Sequence, residues 1–351
     1  MDVTILIPTL NRSKYILRIL EFYKKSFFTG QILILDSSTN EEEEINKENI
    51  KKFSKNLDIT YIWDIGWSFE LIKKYQKYIK KKNCIFSGDD DYIIVDGLKK
   101  CLNFLNQKKN REIVAVSGRG LTLGVYGKNY DKIFTTSEYK LAYTDERNPL
   151  SRIQNFFKNY AVSIYSLCRT DIFKKVLEYS LLKKDRHKCS YNAINGELLP
   201  CSIMVSFGRI DQIETPLVIR TVGHSRFIQP PLYQNIDKKI FKKSQSYLIK
   251  SLNNSIFKNY GIKKSKIKIK LYFDSYISLS AKNDGKKNSI LLSKIYFLKK
   301  IKNYIFFITS FFFNNSEKST NLYSLHYGLS SFSKDFIKIN KIIKKIKIKN
   351  I

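Results

Sequence analysis

Acidic side chains are scarce in this chain of 351 residues: 31 Asp and Glu stand against 63 Lys and Arg, a formal charge of +32. The shortfall is uneven, with 26 Lys/Arg against 5 Asp/Glu in residues 231–351 and 37 against 26 in residues 1–230. A field of that sign attracts polyanions, either nucleic acid or the anionic inner face of a membrane. The lysines are not organised on a recognisable RNA- or DNA-binding module, so nucleic acid is not the expected partner. Part of the excess simply accompanies a composition rich in Lys, Ile and Asn. Cysteine is sparse too. Cys84, Cys101, Cys168, Cys189 and Cys201 are an odd set without a C-x-x-C pair, which excludes a disulfide framework and fits a reducing, cytoplasmic compartment. His187 and Cys189 have no second pair beside them and make a poor zinc site. Long apolar runs are missing as well: Tyr304 to Phe313 is about half of the ~20 residues that span a bilayer. No cationic segment precedes the apolar residues that start at Val3, so no leader is expected. What is present is a globular composition, 43% apolar with 24 Phe and 23 Tyr, which excludes a disordered chain.

The first half alternates two hydrophobic periods. Val3 to Ile7, Gln31 to Asp36, Ile59 to Ile62, Cys84 to Ser87 and Ile113 to Val116 are short β-branched or apolar runs that read as strands. Between them, Tyr15, Ile16, Ile19, Leu20, Tyr23 and Phe27 recur at helical spacing, with Asn11 or Ser13 as the expected cap and Gly30 as the stop. Leu71, Ile72, Tyr75, Tyr78 and Ile79 form a second helical face behind Ser68, and Leu98, Cys101, Leu102 and Leu105 a third, capped by Asp96. The Glu41–Glu44 run reads as a solvated helix start, where negative charge suits the dipole. Such alternation predicts an α/β, Rossmann-like, mainly parallel sheet flanked by helices. Ligands of open sheets sit beyond the carboxyl ends of the strands. Pro8-Thr9, Asp36-Ser37 and Asp89-Asp90-Asp91 all fall there.

The Asp triplet is the most chemically loaded stretch. Cys84-Ile85-Phe86-Ser87 enters a turn at Gly88 and delivers three adjacent carboxylates before Tyr92. Neighbouring aspartates repel, and a hard divalent cation such as Mg²⁺ or Mn²⁺, which favours carboxylate and phosphate oxygen, would neutralise them. An acidic surface turn is the plain alternative.

In order, Ile7-Pro8-Thr9-Leu10-Asn11-Arg12, Leu35-Asp36-Ser37-Ser38 and Asp89-Asp90-Asp91 resemble the nucleotide-sugar half of GT-A glycosyltransferases, especially the large inverting family 2 type, over residues 3–225. The second segment departs from that family's usual Val-Asp-Asp-Gly-Ser by lacking the second Asp and the Gly. The resemblance implies a nucleoside-diphosphate sugar donor held by Pro8, Thr9, Asn11, Arg12, Asp36, Asp89, Asp90 and Arg220. Lys73 or Lys74 could reach the diphosphate from the helix before the triplet, unless they are merely solvated. It also implies a divalent metal (Mn²⁺ or Mg²⁺) on Asp89 and Asp91, with His224 as a further candidate ligand and Arg226 close to it. A general base for inversion would stand at a helix start well after the triplet, where Asn195-Gly196-Glu197-Leu198 supplies Glu197 but has Leu198 in place of the frequent Asp. Glu197 as an ordinary helix N-terminal charge is the alternative.

Residues 121–160 read as an excursion on the acceptor side with a helix at Ser151–Phe157, while Tyr165 and Arg169 flank a strand-like Ile164–Cys168. A helix from Asn195 to Phe207 should stop at Gly208, followed by a hairpin of Ile210–Ile213 and Pro216–Arg220. Ser117-Gly118-Arg119-Gly120 is Gly-rich but far from the chain start, where a sugar nucleotidylyltransferase would carry such a signature. Pro230-Pro231 marks a boundary between a catalytic domain (1–230) and a basic, aromatic-rich, helical region (231–351). There, Lys263–Lys270, Leu291–Phe313 and Lys338–Ile351 interleave Lys with Ile, Leu, Phe and Tyr, as an element at the inner membrane face would, or a packing domain with a solvated Lys face. The expected activity is transfer of a sugar to a glycan or lipid-linked glycan acceptor in cell-surface polysaccharide synthesis. The rivals are a nucleotidylyltransferase, a non-enzymatic basic protein that binds nucleic acid or membrane, and a degenerate form of the fold.

Overall fold

The computed structural model describes residues 1–110, 112–126, 130–180, 193–223, 239–263, 265–288 and 320–347. Strand and helix alternate at first: β1 (Val3–Thr9), α1 (Ser13–Lys25), β2 (Gln31–Asp36), α2 (Asn40–Phe53), β3 (Asp58–Trp63), α3 (Ser68–Lys74) and β4 (Asn83–Phe86). After a short β5 (Tyr92–Ile93) come α4 (Val95–Leu105), β6 (Ile113–Tyr126), β7 (Lys132–Tyr139), α5 (Pro149–Lys158), β8 (Leu167–Arg169), α6 (Thr170–Ser180), α7 (Leu199–Phe207) and β9 (Arg209–Val222). The described residues form one nine-stranded sheet in the order β3-β2-β1-β4-β8-β6-β9-β5, with β7 paired to the side of β6. Strands β3, β2, β1 and β4 run parallel; β8 is antiparallel to both of its neighbours, and β6 and β9 are parallel again. All six residues of β2 and nearly all of β1 are buried, as expected of strands covered on both faces.

Two readings of the sequence are corrected here. The fifth strand does not end at Val116: Ser117-Gly118-Arg119-Gly120 is the middle of the fourteen-residue β6. A Cβ at Gly118 would lie 2.5 Å from the Thr215 carbonyl oxygen, so glycine is what lets β6 and β9 approach. Nor do residues 210–220 make a hairpin: Arg209–Val222 is one strand, and Glu214-Thr215-Pro216 is absorbed as a register shift opposite Ser117–Gly120. Proline lacks the ladder donor, and an irregularity in the pairing is where a sheet tolerates it.

The start of α1 also differs from expectation. Arg12 occupies the cap position without a capping side chain, and Ser13 donates its backbone N–H to Glu42 Oε2 at 3.0 Å. Asn11 adopts φ 51°, a left-handed conformation that Asn tolerates, and turns its side chain to accept from Thr39 N at 2.8 Å. The first two loops are thus stitched together at the carboxyl end of the sheet. The helix closes at Lys25 rather than Gly30, and Phe27 is exposed. Asp96 lies in the first turn of α4 and pairs with Lys334 at 3.0 Å instead of capping.

The basic last third folds back onto this sheet layer. Helices α8 (Lys239–Tyr260) and α9 (Lys266–Asn288) pack on α7 and α5, whereas α10 (Leu322–His326) and α11 (Ser333–Lys345) pack on α1 and β7. Pro230-Pro231 and Leu291–Phe313 lie outside the described residues. Two buried arginines join the layers. Arg18 of α1, 3% exposed, donates Nε to Ile346 O at 2.7 Å and Nη2 to Ile343 O and Tyr130 O at 3.2 and 3.1 Å. The last turn of α11 therefore delivers its orphan carbonyls, the negative end of its dipole, to a cation. Arg152 of α5 does the same for α7, donating to Val205 O and Ser206 O at 2.8 and 2.9 Å.

Replacing Arg18 with Met should lower stability by about 2–4 kcal/mol, because buried carbonyls lose their donor. The exposed Lys341→Ala on α11 should change it by less than about 0.5 kcal/mol. Urea unfolding midpoints of the two variants check this.

Candidate active site

The carboxyl ends of β1, β2 and β4 converge, with Thr9 in register with Asp36 and Leu6 with Phe86. Past β4, Ser87 N still donates to Leu6 O at 2.9 Å, and Gly88 then turns the chain so tightly that a Cβ would lie 2.9 Å from Asp91 Oδ2 and 3.0 Å from Asp90 Oδ1. The triplet points into the protein and not into bulk water: Asp89 is 5% and Asp91 1% exposed.

Each carboxylate meets donors from other strands. Asp89 accepts from Thr9 Oγ1 at 2.7 Å and from Arg12 Nη1 at 2.6 Å, and the other arm of Arg12 reaches Asp90 Oδ2 at 2.7 Å. Asp91 Oδ2 accepts from Tyr165 OH and lies 3.4 Å from Arg220 Nε, while Asp91 Oδ1 accepts from Thr221 N at 3.2 Å. Thr221 Oγ1 donates to Asp90 O at 2.7 Å, which ties β9 to the turn. Arg220 lies over the rings of Tyr139 (4.8 Å) and Tyr165 (5.3 Å) and donates Nη1 to Tyr139 OH at 3.0 Å. Burial pushes the Asp89 carboxyl above the usual carboxylate range against the pull of Arg12, and burial with Asp90 does the same to Asp91 against Arg220. Burial opposes the charge of Arg12, yet Asp89 and Asp90 outweigh it and hold the guanidinium protonated.

Asp36 sits at the tip of β2, fully buried. Its Oδ1 accepts from Ser38 N at 2.8 Å, and Oδ2 accepts from Asn46 Nδ2 and Tyr61 OH, each at 2.7 Å. The resemblance implies that this carboxylate contacts the donor; in the structure it takes three protein donors, which shape the Ser37-Ser38 turn, and its two oxygens keep one further acceptor site. Beside it stands a feature that sequence reasoning missed. The chain has two tryptophans, and both flank the loop after β3: Trp63 and Trp67 are 36% and 41% exposed, with Trp63 Nε1 donating to Ser38 O at 2.9 Å. Flat, half-exposed rings at a strand end, in a chain that uses Trp nowhere else, were a legible signal.

Pro8 ends β1 beside Thr9, and Lys73 is half-buried in the last turn of α3. Lys74 is drawn away from the triplet to Asp64 Oδ2 at 2.5 Å. Arg169 donates to Ile113 O, Leu105 O and Asn110 O and serves as a structural clamp. His224 and Arg226 lie outside the described residues, as do His187 and Cys189.

Glu197 follows from a wide π-type turn, Ala193–Leu198, that runs directly into α7. It accepts at Oε1 from Tyr160 OH. Arg220 and Tyr139 lie within electrostatic reach of both Glu197 and Asp91. Tyr139 went unnoticed in the sequence because β7 alternates Thr, Ser and Glu with few apolar residues.

The donors suit a hard divalent cation: three carboxylates face two guanidiniums, and burial makes the surplus negative charge costly. Asp89 Oδ1 and Oδ2 and Asp91 Oδ1 each accept one described hydrogen bond and keep further lone-pair capacity. Among the described residues no group of three or more His, Cys, Asp or Glu side chains is placed to hold a metal ion, so one or two of these carboxylates would have to share a cation with water and phosphate oxygens.

No protein-family model and no curated protein sequence matches the chain. Among solved structures it is similar to TarS residues 1–349 of S. aureus, at 15% identity and a TM-score of 0.52 over 98% of this chain and 91% of that one. The same TarS segment in complex with UDP gives 15% identity and a TM-score of 0.50 over 98% and 90%. Likeness at this identity is a statement about fold: the chain has a GT-A glycosyltransferase fold, with helices following the sheet domain.

Asp36→Asn should cost about 2–4 kcal/mol in thermal or urea unfolding, because an amide cannot accept all three donors and sets N–H against N–H. Tyr61→Phe, which removes one of them, should cost about 1 kcal/mol.

Proposed function

We propose that this protein is a metal-dependent, inverting glycosyltransferase that moves a sugar from a nucleoside diphosphate to a hydroxyl of a glycan or lipid-linked glycan. The observation that carries this reading is the shared setting of the two acidic centres. Arg220 pairs with the buried Asp91 at 3.4 Å and lies over Tyr139, and both are within electrostatic reach of Glu197, so a donor diphosphate and an acceptor hydroxyl would meet near them. A GT-A neighbour solved with UDP supports a nucleoside diphosphate as the core of the donor.

In this reading Asp89 and Asp91, with His224, hold Mn²⁺ or Mg²⁺ against the diphosphate. When bound, the cation supplies positive charge that stabilises the departing nucleoside diphosphate. The chain's own residues do the rest. Arg12 and Arg220 hold the triplet in place and add fixed positive charge beside it, and Lys73 adds more from α3. Pro8, Thr9 and Asn11 form the floor of the donor cleft, Asp36 shapes the Ser37-Ser38 turn, and Trp63 and Trp67 offer flat faces for the base. The acceptor oxygen attacks the anomeric carbon as the bond from that carbon to the diphosphate oxygen breaks, and the hydroxyl proton passes to Glu197. A base on the face opposite the leaving group gives inversion.

The excess of Lys over acid in residues 231–351 supports a cytoplasmic protein held at an anionic membrane surface, where lipid-linked acceptors and polysaccharide synthesis would be found. Among the described residues no helix is long and apolar enough to cross a membrane, so attachment would be peripheral.

A thermal-shift panel of nucleoside diphosphates with and without Mn²⁺ should show a metal-dependent rise for one base. Turnover of the matching sugar donor should release nucleoside diphosphate one for one, without pyrophosphate; pyrophosphate would instead indicate a nucleotidylyltransferase. Asp91→Asn should cut transfer by about a hundredfold or more. Sedimentation with vesicles should show binding to anionic and not to neutral lipid, weakening as salt rises; equal binding to both removes the membrane assignment.

A further inference from the structure

The C-terminal region, basic on its outside, also reaches the proposed catalytic base. Glu197 makes one hydrogen bond among the described residues, at Oε1 from Tyr160 OH, and Oε2 is left for an incoming hydroxyl. Tyr160 lies just past the end of α5, and its ring is clamped rather than loose. It meets Phe156 edge-on at 5.3 Å and Tyr276 of α9 at 5.5 Å. Tyr276 in turn contacts Phe157 at 5.9 Å and the fully buried Phe273 at 6.3 Å, and Phe273 touches Phe157 at 5.7 Å. Tyr276 is itself close enough for the Glu197 charge, after burial, to push its phenol up to about 12. Burial, Cys201 and Glu197 hold the Tyr160 phenol far above its ordinary range, so it remains a donor at any working pH.

We propose that Tyr160 is a positioning residue for Glu197, and that α9 of the C-terminal region sets its geometry through Tyr276. This rests on Glu197 being the base. A phenol that donates to one carboxylate oxygen fixes the side-chain rotamer and turns the other oxygen toward the acceptor. The aromatic contacts fix the phenol in turn, so a helix outside the sheet domain governs how well the base is aimed.

The test uses the full chain and its transfer rates. Tyr160→Phe keeps the ring and its contacts and removes the donor. It should lower kcat about ten- to a hundredfold with the donor KM unchanged. Tyr276→Ala should lower kcat by less, again with the donor KM unchanged. Glu197→Asp, which withdraws the carboxylate by one methylene, should lose comparable rate, and Tyr160→Phe should add little on top of it. Unchanged kcat in Tyr160→Phe, or full additivity in the double variant, overturns the positioning role. An unchanged kcat in folded Tyr276→Ala overturns the part given to α9. Glu197→Gln should abolish transfer while keeping the metal-dependent thermal shift with nucleoside diphosphate. Transfer surviving in Glu197→Gln overturns the base assignment, and the positioning role falls with it.

Discussion

Two buried carboxylates, Asp89 and Asp91, with the half-buried Asp90 between them are the constraint around which this protein is built. Taking even one such charge out of water costs several kcal/mol unless it is paired and hydrogen-bonded. The chain meets that cost from three separate strands: Arg12 and Thr9 from the end of β1, Tyr165 from the segment before β8, and Arg220 and Thr221 from β9. Among the described residues two guanidiniums face these three acids. The sheet order follows from the same need. Only with β8, β6 and β9 placed after β4 do residues 165 and 220, far along the chain, arrive at residue 91.

Much of the donor half was legible because its signals are local. The limits of β2 at Gln31 and Asp36 can be read from an unbroken apolar run between Gly30 and Ser37, and β1, β3 and β4 follow within a residue or two. What was not legible depended on pairing between distant segments. Gly118 and Pro216 look like breakers in isolation, yet each is accommodated by the other's strand, so a hairpin and a short fifth strand were read where two long parallel strands run. Asp36 illustrates a different limit. Its position at a strand tip is plain from sequence, but its hydrogen bonding by Asn46 and Tyr61 needs a helix and a strand to fold over it. Tyr160 and Tyr139 carry no motif at all, and their relation to Glu197 and Arg220 exists only in three dimensions.

The division at Pro230-Pro231 marks a change in composition more clearly than a change in structure. Helices α8 and α9 complete the cover over α5 and α7, and Tyr276 packs on Tyr160, the partner of Glu197. The same region can therefore do two jobs at once, with Lys on its outer surfaces and aromatic rings within.

The Arg18 clamp has a consequence for the order of assembly. Its bond to Ile346 spans 328 positions, so during synthesis α1 is in place long before the carbonyls that satisfy it have left the ribosome. Until then a guanidinium destined for the interior stays hydrated, and the outer side of α1 stays wet. The parallel half of the sheet can condense early from near neighbours, but its final dehydration waits for α11 to dock, a slow, non-local closing step.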